Sequence, residues 1–392
     1  MKKFVFSLAV LCCAVTMSAQ VSDEMNPLIT SMPSLSIAPD ARAAGLGDVG
    51  VATEADFNSQ YWNPAKYAYM YTNGGITANY TPWLRKLVSD IDLAYLAGFY
   101  NFGDLAGGIG ASFTYFSMGD VALTDANGKT IQDVRPNEWA LDLSYFRKLH
   151  EYVSMSVAVR FLYSDLNNGY NSSLGGNSGE MHAAWTMAAD IALYYKQPIE
   201  LPMGTSNLSV GFSLKNLGGK MTYDSITSNF IPTSMNIGVG YELPLNKYNF
   251  LTFNLEANKQ LVPSRLSKFA DQPNGKYSQD AYSSLNPAKG WFQSFADAPG
   301  GAKEEFNEVR WGAGIEYSYD KKFFARAGYS YENYYKGNRN YVTFGLGFHL
   351  SIVSVDVSYC VGLAASNPLD QTMRFTLGFD LYGIKDLVNN KK

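Results

Sequence analysis

Apolar and polar residues alternate with period two along most of this chain. In the stretch from Val153 to Asp165, one face carries Val153, Met155, Val157, Val159, Phe161 and Tyr163, and the other carries Ser154, Ser156, Ala158, Arg160 and Ser164. From Asn249 to Gln260, Leu251, Phe253, Leu255 and Ala257 alternate with Thr252, Asn254, Glu256, Asn258 and Gln260. The segments beginning at Ser354 and Met373 read the same way, with Val355, Val357, Tyr359 and Val361 against Asp356, Ser358, Cys360 and Gly362, and Phe375, Leu377 and Phe379 against Arg374, Thr376, Gly378 and Asp380. This is the signature of strands with two unlike faces. It predicts fourteen strands, at about 76–84, 91–102, 107–119, 138–149, 153–166, 183–199, 207–217, 233–243, 249–262, 308–320, 323–334, 340–352, 353–364 and 372–383.

The connections between them are sorted by length. After even-numbered strands they are tight, as in Gly103–Ala106, His150–Tyr152 and the Lys321-Lys322 pair. After odd-numbered strands several are long: Asp120 to Asn137, Asn167 to His182, Gly218 to Pro232 and, longest, Pro263 to Asn307. A β-sandwich has no reason to separate its loops in this way. A closed transmembrane barrel does, with tight periplasmic turns and long external loops, and its strand number is even. The predicted class is therefore all-β: an antiparallel outer-membrane barrel, its outward apolar residues bracketed by Trp139, Trp185, Trp311 and many tyrosines suited to the two interfaces.

The other face is charged with both signs. Asp92, Asp142, Arg160, Asp190, Lys196, Lys215, Glu242, Glu256, Arg310, Glu316, Arg326, Glu332, Asp356, Arg374 and Asp380 are expected to face the lumen, together with the apolar Leu96, Phe116, Phe146, Leu162 and Tyr194. Such a lumen is either a wet channel or one laced with ion pairs and filled by a plug; alternation does not decide between them.

Composition fits this reading. Of 392 residues only 17% are charged, while Tyr (28), Phe (23) and Gly (35) are abundant. Lys2 and Lys3 precede an apolar run from Phe4 to Val15 and the small residues Ser18 and Ala19, which predicts an export signal over 1–19. The remaining chain has 29 basic residues against 35 acidic ones, a net charge of about −6, and no basic footprint for nucleic acid. Cys360 is its lone cysteine, so no internal disulfide is available. His150, His182 and His349 fall on different strands and turns and form no metal-ligand spacing. Neither a catalytic set nor a cofactor is implied.

Between the signal and the first strand lie residues 20–75, with the block "PDARAAGLGDVGVATEADFNSQYWNPAKYA" at their centre. Gly45, Gly47 and Gly50 match a dinucleotide fingerprint in spacing, but no strand precedes them and no parallel βαβ unit follows. They are expected to permit tight backbone turns, and Trp62, Asn63 and Pro64 to mark a chain reversal, all within a plug or hatch.

The same block resembles the entry segment of the PorV family, outer-membrane barrels of the type IX secretion system of Bacteroidota, within the wider FadL-like group. The resemblance implies an N-terminal segment inside the barrel and a transport role rather than an enzyme: secreted cargo, recognised by its C-terminal signal domain, is received from the translocon. It is then passed to a surface sortase complex that attaches it to lipopolysaccharide. The expected cargo surface is the loop 263–307 with Tyr277, Tyr282, Trp291, Phe292 and Phe295, unless these rings fold back over the barrel mouth. The last strand stops near Tyr382 and residues 384–392 form a polar tail, so the assembly signal falls on "RFTLGFDLY" or on that tail. The alternatives are a FadL-like transporter of long-chain fatty acids or other hydrophobic molecules, and a general diffusion pore. A barrel hydrolase lacks a Ser/His/Asp set.

Overall fold

A computed structural model describes residues 25–124, 127–167, 181–224, 227–350, 352–363, 367 and 369–384. The expected signal at 1–19 and nearly all of the polar tail lie outside the described residues. Fourteen antiparallel strands close into one barrel. They are β1 (Gly74–Pro82), β2 (Asp92–Asn101), β3 (Gly108–Ser117), β4 (Asn137–His150), β5 (Val153–Asp165), β6 (Ala184–Leu201) and β7 (Gly204–Gly218). The second half comprises β8 (Ser234–Pro244), β9 (Asn249–Gln260), β10 (Val309–Tyr319), β11 (Phe323–Tyr331), β12 (Tyr341–Leu350), β13 (Val353–Gly362) and β14 (Met373–Asp380). Each strand pairs with its sequence neighbours, and β1 closes on β14 with Ile76 opposite Phe379 and Ala78 opposite Leu377. Closure leaves no sheet edge, the condition for a β-structure in lipid.

Every connection after an odd-numbered strand emerges at one rim and every connection after an even-numbered strand at the other. The long-loop rim carries two small hairpins of its own, Val121–Thr124 with Thr130–Val134 and Met221–Thr222 with Ser228–Asn229, which strand counting did not anticipate. Trp139, Trp185 and Trp311 all lie at the long-loop ends of their strands, where Trp139 stacks on Tyr163 at 5.2 Å and Trp185 on Phe161 at 5.9 Å. The short-turn rim is marked by tyrosines instead, among them Tyr100, Tyr145, Tyr248 and Tyr319.

Alternation placed nearly all of the expected inward residues correctly, with two exceptions. Asp92 and Leu96 share the outward face of β2: Leu96 is 53% exposed, and Asp92 pairs with Arg85 at 3.2 Å and accepts from the Tyr80 hydroxyl at 2.7 Å at the strand end. The inward face of this strand is Leu93, Tyr95, Ala97 and Phe99. Both faces of β2 are apolar because its inner face is covered by protein, so period two alone does not say which is which.

Charges that face each other across adjacent strands are directly in register. Asp142 opposes Arg160 on β4 and β5, and Glu316 opposes Arg326 on β10 and β11. Arg160 is held by Asp142 at 2.5 Å and by Asp190 at 3.0 Å. A register shift between Ala189 and Ile191 accompanies the placement of Asp190, whose Oδ1 accepts the Asn216 amide at 2.6 Å. All of these groups are buried, so each guanidinium depends on its carboxylates.

Leu255 (outward, 52% exposed) and Glu256 (inward, 4%) are adjacent in mid-strand and test the faces directly. Leu255→Arg is expected to cost about 2–4 kcal/mol in a bilayer. Glu256→Gln, which keeps an acceptor oxygen, is expected to cost about 1 kcal/mol. Denaturant unfolding in lipid vesicles measures both, and equal costs would reverse the assigned faces.

Candidate functional site

Residues 25–73 do not form a domain beside the barrel; most of them are buried among its inward side chains. The segment is nearly all turns. A 3₁₀ turn at Pro33–Ser36 leads to helix α1 (Ala41–Ala44), then a loop to helix α2 (Ser59–Trp62) and a second 3₁₀ turn at Pro64–Tyr69. Local chemistry dictates these breaks. Asp40 caps α1 by accepting the Ala43 amide at 2.8 Å, and its other oxygen accepts Trp62 Nε1 at 2.6 Å, tying the two helices together. Asn63 caps the following turn by accepting the Ala65 amide at 3.1 Å, and Pro64 occupies its first position, where no amide is needed.

So irregular a chain exposes backbone groups that no helix or ladder satisfies, and the barrel wall supplies their partners. Glu256 Oε2 accepts the amides of Gly50 and Val51 at 2.8 and 2.9 Å. Ser209 donates to the Ala52 carbonyl at 2.6 Å, Ser154 to that of Ala65 at 2.7 Å and Arg374 to that of Ala38 at 3.0 Å. Thr376 and Thr343 accept the amides of Ala41 and Gly47 at 2.9 and 3.0 Å. Asn63 Nδ2 joins the segment's Val51 carbonyl (3.1 Å) to the wall's Leu193 carbonyl (2.9 Å). Lys66, fully buried, donates to the Gly50 carbonyl at 2.8 Å and to Thr53 at 2.9 Å. The segment also enters the wall's ion pairs: Arg42 binds both oxygens of Glu316, at 3.0 and 3.2 Å, and Asp56 at 3.0 Å, and Arg326 continues the chain from Glu316 to Asp356.

The glycine block runs along a track of inward glycines. Leu46 and Gly47 lie on Gly314 and Gly328, Gly45 on Gly345, and Val51 on Gly211 and Gly238, backbone nearly touching backbone. Of the three glycines expected to serve turns, only Gly47 has a left-handed backbone (φ 78°). Gly45 lies in the same turn without that requirement, and both it and Gly50 are places of close approach, to Gly345 and to the Trp62 indole. The track was visible in the sequence as glycine at inward positions of "NIGVGYE", "RWGAGIE" and "ARAGYS", a signal passed over because glycine counts as neither apolar nor polar in an alternation pattern.

The inward apolar residues also pack on the segment. Phe146 and Phe99 enclose Tyr67, Phe116 and Leu93 meet Ile37, and Leu162 joins Met32 and Leu35. Tyr194 donates to the Thr53 carbonyl at 3.2 Å. What open space remains is divided. A cavity of about 590 Å³ lies towards the short-turn rim, walled by Glu54, Phe57, Tyr71, Lys196, Lys321 and Phe324. On the other side of the segment, a water-sized space of about 30 Å³ lies among Asp48, Tyr61, Lys215, Glu256 and Arg310.

The loop 261–308 is ordered by three short helices, α3 (Gln279–Ser284), α4 (Pro287–Gln293) and α5 (Ala302–Asn307). It separates the five expected aromatic residues. Tyr277 and Tyr282 are buried with Phe230 and Val262, and the Arg265 guanidinium lies over the Tyr282 ring at 4.3 Å. Trp291 is half-buried, whereas Phe292 and Phe295 are exposed at 78% and 45%. Phe269 and Phe306, not singled out from sequence, are exposed as well. Their exposure follows from the helices and turns they sit on, which no strand-period pattern reports.

Because a Cβ at position 328 would overlap the Gly47 nitrogen, Gly328→Val is expected to expel the segment while leaving the barrel closed. Trypsin reports this at the buried Arg42 and Lys66. Cleavage there should be more than about tenfold faster than in wild type, with Ala313→Val on the outward face unchanged and strand content by circular dichroism intact.

Comparison with curated protein sequences gives no match. Among solved structures, the Pseudomonas putida toluene transporter TodX is similar with a TM-score of 0.50 and 13% identity, over 91% of this chain and 98% of that one. The Ralstonia pickettii toluene transporter TbuX gives 0.48 and 12%, over 88% and 97%. A Pseudomonas aeruginosa FadL homologue gives 0.39 and 12%, over 88% and 99%. At such identity the likeness to TodX speaks for the fold alone, that of a FadL-like outer-membrane barrel. The family model of the type IX secretion system protein PorV matches residues 20–267, well over half of the chain, and the protein belongs to that family as an outer-membrane component of type IX secretion.

Proposed function

We propose that this barrel carries secreted cargo from the type IX translocon to the surface sortase complex, gripping the cargo's C-terminal signal domain at its long-loop rim. In this reading residues 1–19 direct export, both ends of the chain are periplasmic, the long loops are extracellular, and residues 20–75 act as a plug. The observation that carries it is the pairing of a filled lumen with an aromatic rim. Among the described residues the segment lies between two separate spaces, of about 590 and 30 Å³, and packs against the wall around them, which supports contact with cargo at a rim. Phe269, Phe292, Phe295 and Phe306 offer exposed aromatic anchors there, the residue type that dominates binding energy at interfaces. Tyr277 and Tyr282 then serve the loop's own core, and their contribution to binding is the shape of that loop. The work is mechanical and non-covalent: Cys360 is buried and has no histidine on its strand.

The competing reading, a transporter of long-chain fatty acids or other hydrophobic molecules, has one feature in its favour, the 590 Å³ cavity, which lies within the size range of small-molecule sites. Its walls mix the charges of Arg42, Glu54, Lys196, Glu242 and Lys321, which are drawn into ion pairs with one another or with Glu316, with the apolar Phe57, Met70, Phe324, Leu350 and Val353. Mass spectrometry of organic extracts from the purified protein separates the two: a stoichiometric acyl ligand would favour the transporter.

Deleting 272–300 is expected to abolish capture of a tagged signal domain while the barrel still assembles, as judged by strand content and resistance to unfolding at room temperature in detergent. Undiminished capture by the assembled variant would reject the rim as the cargo site. Deleting 34–70 is expected to open a conducting path in planar bilayers, because Arg160 and Glu256 would then line water; a conductance equal to wild type would dismiss the plug.

A further inference from the structure

The base of the 261–308 loop gathers more negative charge than its surroundings neutralise. Asp297, Glu305 and Glu308 each present a carboxylate oxygen, and the three oxygens lie within 4.8 Å of one another. Glu304 stands beside them on α5. Lys259, from β9, reaches Glu308 at 2.7 Å and Glu305 at 3.0 Å, and Lys336 reaches Glu304 at 2.7 Å and Glu308 at 3.0 Å. Four carboxylates thus share two ammonium groups. Nearby, Glu332 is matched by Arg339 at 2.8 Å, and Arg310 borders the same groove without pairing with any of the four. Water does little to relieve the imbalance, since Asp297 is fully buried and Glu308 only 7% exposed.

A second observation at the same place points to a bound species. Asp297 Oδ2 accepts the Ser264 amide at 2.8 Å, but Oδ1 has no hydrogen-bond partner. The Ser264 hydroxyl, equally inaccessible, also has none. An unsatisfied buried polar atom costs about 1–3 kcal/mol, so two on neighbouring residues need a reason. The donors are all hard oxygens, with neither thiol nor imidazole among them, the set preferred by calcium over zinc. Oxygens up to 4.8 Å apart fit a shared ion with ligands at about 2.3–2.6 Å.

We propose that Asp297, Glu305 and Glu308, with the Ser264 hydroxyl, bind one calcium ion that fastens the two ends of the 261–308 loop together over β9 and β10. Ser264 lies at the start of the loop and Asp297–Glu308 at its end, so the ion closes the loop at its neck and fixes the helices between. Because Glu305 and Glu308 also hold Lys259, the affinity falls in the weak range of extracellular modules, a dissociation constant of about 10⁻⁴–10⁻³ M. That range suits the cell exterior, where the proposed orientation puts this rim.

The test is calorimetric titration of calcium chloride into the full-length, chelator-treated protein in detergent, beside Asp297→Asn and Ser264→Ala. Asparagine keeps the acceptor for the Ser264 amide and removes only charge. Wild type is expected to bind one ion per chain, with magnesium chloride weaker; Asp297→Asn should weaken binding at least about tenfold. Proteolysis of the loop supplies an independent readout, with calcium protecting wild type and leaving Asp297→Asn unprotected. Comparison with the variant cancels any calcium held by co-purified lipopolysaccharide. Equal binding by wild type and Asp297→Asn, or no binding by wild type at millimolar calcium, overturns the proposal, and neither result bears on cargo capture.

Discussion

An irregular stretch of backbone survives at membrane depth only where every amide and carbonyl is met from within the protein. That requirement organises this molecule. The segment before the first strand has two short α-helices and two 3₁₀ turns, and the surrounding wall answers it group by group, with serine, threonine and tyrosine side chains, one glutamate and one arginine. The polar lumen is thus better understood as a mould than as the lining of a pore.

The same constraint explains the division of labour among inward residues. Where the segment approaches the wall with its backbone, as from Gly45 to Val51, the wall answers with glycine. Where it presents rings, as at Tyr67, the wall answers with Phe99 and Phe146. Charges fill what is left, in cross-strand pairs such as Glu316 with Arg326 that are completed by Arg42 from the segment. Arg42 is the clearest link between the two parts, because Glu316 belongs to both the wall's ion pairs and the segment's.

With the lumen filled, the two rims are the open ends of the barrel, and they differ. One is a ring of short turns beneath the cavity of about 590 Å³. The other bears every long connection, including a folded loop with its own apolar core of Phe230, Val262, Tyr277 and Tyr282 and its own buried charges. A loop with a core of its own can hold exposed phenylalanines in fixed positions, which a floppy one cannot do without paying for their ordering at each encounter.

The sequence by itself determined the strands, their number, the outward faces of nearly all of them and the sorting of loops to the two rims, since each of these follows from a local period of two and from connection lengths. It also marked Asn63-Pro64 as a break and the glycine block as something other than a nucleotide site. Tertiary structure alone decided three matters. It turned Asp92 and Leu96 outward, because β2 is apolar on both faces and only the rings of the segment show which face is inside. It made Gly45 and Gly50 points of close contact, with Gly345 and with Trp62, because those partners are related to them by no helix or strand period. And it split five aromatic residues of one loop into a buried pair, a half-buried Trp291 and an exposed pair, and brought Ser264, Asp297 and Glu308 together, because burial within a loop depends on contacts among residues that no short-range periodicity relates.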